Sequence, residues 1–125
     1  MFTINEINTI MRKFYLFLFL SITTAGFSQQ DAWIYFNAKP NFQPFYDSPL
    51  QMLSQRALDR RTNQNIVLDF KDIPIESSYI TQVKATAGIT VKSKSKWLNA
   101  IHVRGSQAAI NTLAMLSFVN KIDFA

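Results

Sequence analysis

The sequence has no cysteine, a single histidine and three glycines among 125 residues. The missing cysteines exclude disulfides, thiol nucleophiles and Cys-based zinc or iron–sulfur sites in one step. One histidine excludes any catalytic arrangement that needs two imidazoles. Length is scarce as well: at roughly 100 to 200 residues per domain, a catalytic domain and a regulatory one do not both fit. What is plentiful is apolar residues, at 48%, too many for a disordered chain. Lys and Arg outnumber Asp and Glu by 13 to 8, which points to an acidic partner without deciding between nucleic acid, membrane and protein.

The amino terminus carries its own pattern. Met11-Arg12-Lys13 precedes the apolar run Phe14–Ile22, interrupted only by Ser21, and the small residues Thr23, Thr24, Ala25, Gly26 and Ser28 follow. A positive start, a short apolar stretch and a small-residue exit make a secretory signal peptide. The run is shorter than the ~20 residues a membrane-spanning helix needs. Residues 1–28 are therefore expected to be a leader cleaved after Ser28, with Met11 an alternative start and membrane contact only transient. Without Arg12, Lys13 and Glu6 the exported part, 29–125, keeps a net charge of about +4. Lacking disulfides, it must be held by its core.

The exported part is punctuated by Gly88, Gly105 and four prolines. Ala32–Asn37, rich in aromatic and branched residues, reads as a first strand. Ser48-Pro49-Leu50-Gln51 reads as a capping box opening a helix to about Thr62, with Leu50, Leu53, Ala57 and Leu58 as its apolar stripe. Residues 63–75 read as irregular, turning at Asp72-Ile73-Pro74. A helix over Ser77–Ala87 stops at Gly88, suited to the left-handed cap. Ile89–Lys96 alternates as a strand, and Ile101–Arg104, closed by Gly105, makes another. Ser106 caps a helix through Met115, with Ile110, Leu113 and Ala114 inward. Phe118–Phe124 is the last strand. The expected class is α+β: a ferredoxin-like βαββαβ antiparallel sheet with helices on one face, plus an extra helix after the first strand.

Such a sheet leaves one face open. The period of two puts Lys92, Lys94 and Lys96 on a common face. If Ile101 and Val103 point to the helices, His102 and Arg104 lie on the open side, joined by Lys121 and Asp123. The plain reading is a solvated face whose lysines suppress edge pairing. Trp97, at a strand junction, reads as a core anchor. Arg60-Arg61 reads as part of a solvated helix face with Arg56 and Asp59 in i, i+3 contact, rather than as a dibasic cleavage site. Phe42, Phe45 and Tyr46 form an aromatic loop cluster. Base stacking on a basic sheet would make a nucleic-acid binder, but no Gly-Phe-Gly-Phe-like run is present and the leader argues for export, so no nucleic-acid partner is expected.

Ala32-Trp33-Ile34-Tyr35-Phe36, Ser54-Gln55-Arg56-Ala57-Leu58-Asp59-Arg60-Arg61, Lys96-Trp97-Leu98-Asn99-Ala100-Ile101-His102-Val103 and Phe118-Val119-Asn120-Lys121-Ile122 occur in an order that resembles the N-terminal propeptide of secreted subtilisin-like serine proteases. The resemblance spans the whole exported part. It implies a ferredoxin-like domain that templates folding of the protease domain and inhibits it until cleaved. It also implies that the open face docks on two surface helices of the protease, and that the segment after the last strand threads the active-site cleft. Lys92, Lys94, Lys96, His102, Arg104, Lys121 and Asp123 are then the expected docking face. Asp123 is the candidate to cap a protease helix N-terminus.

The family's catalytic segments are absent: no His-Gly-Thr-His, no Gly-Thr-Ser-Met-Ala and no Gly-x-Ser-x-Gly serine. No catalytic residue, cofactor or metal ligand is assigned. The expected reading is the leading fragment of a secreted or periplasmic protease precursor, itself without hydrolytic activity, whose partner is the cognate protease domain in cis. The alternative is a stand-alone exported protease inhibitor or protein-binding module.

Overall fold

The computed structural model describes residues 1–22 and 28–125. Helix α1 (Ile4–Ile22) begins before Met11, because Thr3 and Glu6 close a reciprocal capping box: Glu6 N donates to Thr3 Oγ1 and Thr3 N to Glu6 Oε2. Residues 1–21 are exposed. No helix among the described residues is long and apolar enough to cross a membrane. The small-residue exit Thr23, Thr24, Ala25 and Gly26 lies outside the described residues.

The rest is an α+β unit. Strands β1 (Gln29–Phe36), β2 (Thr90–Ser95), β3 (Ala100–Ser106) and β4 (Val119–Phe124) form one antiparallel sheet in the order β2-β3-β1-β4. Between β1 and β2 run α2 (Gln43–Asp47), α3 (Gln55–Asn63) and α4 (Ser77–Lys84), and between β3 and β4 runs α5 (Gln107–Thr112). With α4 and α5 as its two crossover helices, this is the ferredoxin-like order and sheet. α2 and α3 are insertions after β1.

Alternation builds the core. Ala32, Ile34 and Phe36 of β1 and Ile101 and Val103 of β3 point to the helices and are buried against Val83 of α4, Ile110 of α5, Leu113 and Phe118. Each fully buried Ile, Leu or Val of this set contributes about 1.5–3 kcal/mol. Tyr79 stacks on Phe118 at 4.2 Å and 3°. Ser106 Oγ accepts from Ala109 N and starts α5. α4 ends at Lys84 with Ala85 as its C-cap, three residues short of the expected Ala87, so Gly88 (φ 77°) serves the turn into β2 and not the helix cap; a Cβ on Gly105 would stand 2.6 Å from the Gly88 carbonyl oxygen. Gly105 thus sits inside β3, where it permits that close approach, and does not close the strand.

Several expectations are corrected. The single helix over 49–62 does not form. Ser48 makes no side-chain cap bond, Pro49–Gln51 is one 3-10 turn, and the helix restarts at Gln55 because Ser54 caps it, accepting from Ala57 N. Of two serines able to cap, the second prevails, and Leu50 is left exposed. Asp59 accepts from Gln55 rather than pairing with Arg56. Arg61 instead reaches Asp72, a buried carboxylate, at 2.6 Å. Ala114 is exposed, because the last turn tightens to 3-10 over Leu113–Met115 and rotates it outward. Phe45 and Tyr46 lie in α2 rather than in a loop.

Candidate docking face

On the side of β1 turned away from the helices stand Asp31, Trp33 and Tyr35, the complement of the buried set. The register puts Asp31 opposite Arg104, and Trp33 opposite both His102 and Asp123; Tyr35 is opposite Lys121. Of the expected face, the structure thus gathers His102, Arg104, Lys121 and Asp123.

The charged groups there are matched within the chain. Arg104 grips Asp31 with both arms, Nε to Oδ1 at 3.0 Å and Nη2 to Oδ2 at 3.1 Å. His102 Nε2 lies 2.9 Å from Asp31 Oδ1, and its ring stacks on Trp33 at 5.5 Å and 29°. The hydrogen bond from Arg104 holds the Asp31 carboxyl below the usual carboxylate range, outweighing desolvation, with His102 adding to the effect. Arg104 is raised in turn, chiefly by the same bond. Lys121 Nζ donates to Asp123 at 2.9 Å and sits 4.4 Å over the Tyr35 ring. The bond to Asp123 raises the Lys121 ammonium. The result is an aromatic centre, Trp33 and Tyr35, under self-neutralised side chains.

The lysines of β2 do not join this face as one stripe. A bulge between Val91 and Ser93 shifts the register, so that Ser93 meets His102, Lys94 meets Ile101 and Ser95 meets Ala100. Lys94 is thereby carried to the helix side, where it lines a groove of about 320 Å³ with Ile75, Glu76 and Ile80. Lys92 falls at the bulge without a cross-strand partner, and Lys96 lies beyond the strand, beside Pro74 and Ile75. One inserted residue flips everything after it to the other face.

The β2–β3 turn holds a second correction. Asn99 N donates to Lys96 O across the turn, and Trp97 and Leu98 at its tip are 69% and 52% exposed. Trp97 is not a core anchor. Beneath it, Lys39 is buried at 3% exposure, and its ammonium donates to Phe70 O (2.8 Å), Ile73 O (2.5 Å) and Lys96 O (2.7 Å). Desolvation is the main reason its pKa falls. Among the described residues no group of three His, Asp or Glu could hold a metal ion.

A sequence model of the peptidase S8 propeptide domain of Bacteroidota matches residues 31–125. The chain belongs to this propeptide family. Nothing among curated proteins or solved structures matches it. The match begins at Asp31 of β1 and takes in all three later strands and both crossover helices, so the S8 propeptide domain and the ferredoxin-like unit coincide. Sequence reasoning missed Asp31, Trp33 and Tyr35 as members of the propeptide's open face. The signal was available: the alternation that buries Ala32, Ile34 and Phe36 exposes their neighbours.

Proposed function

We propose that residues 29–125 act as an intramolecular chaperone and inhibitor of a subtilisin-like serine protease domain in cis, and that the open face of the sheet is the surface that meets the protease. In this reading residues 1–28 direct export, the parent is a secreted serine endopeptidase, and this segment contributes no catalytic group. The observation that carries it is the two-sidedness of the sheet, added to membership of the S8 propeptide family. One face is filled by helices, and the other presents Trp33 and Tyr35 between ion pairs already closed within the chain. Such a face can be covered without stranding a bare charge, since neither Asp31 nor Asp123 must find a new partner on docking.

The test is to add the chain to the separately refolded S8 catalytic domain and follow both peptide hydrolysis and recovery of activity during refolding. Slower hydrolysis and faster recovery are expected. Neither effect appearing would overturn the proposal. Reading the coding sequence beyond Ala125 is the cheaper check: a frame with Asp-, His- and Ser-centred protease motifs is expected, and a stop codon there would favour a stand-alone inhibitor.

A further inference from the structure

The Trp97–Leu98 tip is an apolar pair held in place at some cost. Asn99, behind it, adopts a left-handed conformation (φ 51°) that a non-glycine residue rarely takes. Its amide Nδ2 donates to Phe36 O and Ala38 O, and its own carbonyl accepts from Phe36 N. Among the described residues its Oδ1 is buried without a partner. On the other side, the Lys39 ammonium binds the Lys96 carbonyl at the base of the turn. A strained asparagine, an unsatisfied acceptor and a buried lysine are all unfavourable taken singly. Together they clamp the turn to the end of β1 and to Phe70 and Ile73. What the clamp presents outward is an indole and an isobutyl group. Of the two, the indole is the anchor: tryptophan is among the side chains that contribute most to an interface when a partner pocket closes over them.

The charges around the tip narrow the partner. Among the described residues Lys94 and Lys96 form no ion pair and no side-chain hydrogen bond, whereas Glu76, the acid that lines the groove with Lys94, is engaged by Asn41 and Ser78. The turn itself, Lys96-Trp97-Leu98-Asn99, contains no acid. From the tip, β3 runs directly to His102 and Arg104 on the open face.

We propose that the Trp97–Leu98 tip is a second docking element, inserting into an apolar depression with a carboxylate rim on the S8 catalytic domain, the rim meeting Lys94 and Lys96. This rests on the propeptide reading above. It adds a contact that the open face does not contain, and one that depends on salt where the self-neutralised face does not.

The experiment measures inhibition of the S8 catalytic domain in trans by the full chain and by W97A, K94E/K96E and W33A, with thermal melts of each. Trp97 is largely exposed, so W97A should melt within a few degrees of the parent while inhibition weakens at least 10-fold. K94E/K96E should weaken inhibition at low salt, with the difference shrinking as salt rises. W33A, on the open face, reports on the underlying reading. Loss with W33A but none with W97A overturns the tip proposal and leaves the propeptide reading standing. No inhibition by the parent chain overturns both. The two indole N–H resonances, assigned with W97F, give a readout independent of activity: the Trp97 signal should shift on adding the catalytic domain. A Trp97 signal that moves instead only with a second copy of the chain, or only with anionic phosphatidylglycerol vesicles, would also overturn the proposal.

Discussion

The two edges of the sheet handle charge in opposite ways. Along β1 and β4 each acid of the open face is closed by a cation of the same sheet: Asp31 by Arg104, Asp123 by Lys121. Along β2, Lys92, Lys94 and Lys96 have no acidic partner among the described residues. The difference follows from position. β1 is a central strand, so cross-strand register delivers Arg104 of β3 to Asp31, while on the edge strand β4 Lys121 and Asp123 lie two residues apart on one face and pair within the strand. β2 is an edge strand with one neighbour and a bulge, and the bulge takes its lysines out of register with anything acidic. Unpaired lysines on a bulged edge also discourage pairing with another chain. Net charge alone therefore does not single out the open face. The basic excess lies at the edge and tip, while the face with the best-built side-chain network is electrically closed.

The comparison breaks most readily at Lys39, which ties the edge hairpin to the rest. Lys39→Met removes the shared donor of three carbonyls and should destabilise the fold by about 3 kcal/mol or more, seen as a lower midpoint in urea unfolding. An unchanged midpoint would show that the tip is not clamped. Arg104→Ala probes the closed face, with a smaller effect that depends on pH. The Asp31 carboxyl is lowered in the fold, so its contribution is present above the ordinary carboxylate value and is lost as pH falls through the lowered one. Parent and variant should therefore differ in melting temperature at neutral pH and converge as the pH is lowered past the ordinary carboxylate value and through the depressed one. A gap that stays constant across that range would mean the pair contributes nothing through ionisation. Smallest is Lys94→Gln, which removes an unpaired edge charge. Its stability should stay within about 0.5 kcal/mol of the parent, and a larger loss would reveal a partner the edge was thought to lack.

Much of the fold was legible. The βαββαβ order, the Ser106 cap and the inward Ile110 and Leu113 follow from local rules that the structure obeys. His102 and Arg104 could be placed opposite Ile101 and Val103 because strand alternation needs no long-range information. Three features were not legible, each for a physical reason. Ser48 and Ser54 are equally good caps on paper, and a local rule does not rank two competing caps six residues apart. A bulge leaves no reliable mark on a strictly alternating run such as Val91-Lys92-Ser93-Lys94. Trp97 has the composition of a core residue, and its exposure depends on a turn clamped by Lys39 and Asn99, which bond to segments far away in the chain.

 Counted along the chain, the two decisive hydrogen bonds span 57 residues, from Lys39 to Lys96, and 63 residues, from Asn99 to Phe36. No local rule reaches that far.

By itself, the sequence determined which residues alternate and which connections carry helices, and hence an antiparallel sheet covered by helices on one side. Period and capping are properties of neighbours, and neighbours are what a sequence records. Only the tertiary structure decided which side of the sheet Lys94 faces, that Asp31 closes on Arg104 and His102, and that Trp97 stands in solvent. Those outcomes depend on cross-strand register and on a buried ammonium bonded to three distant carbonyls, and both are settled only when segments far apart in the chain are packed together.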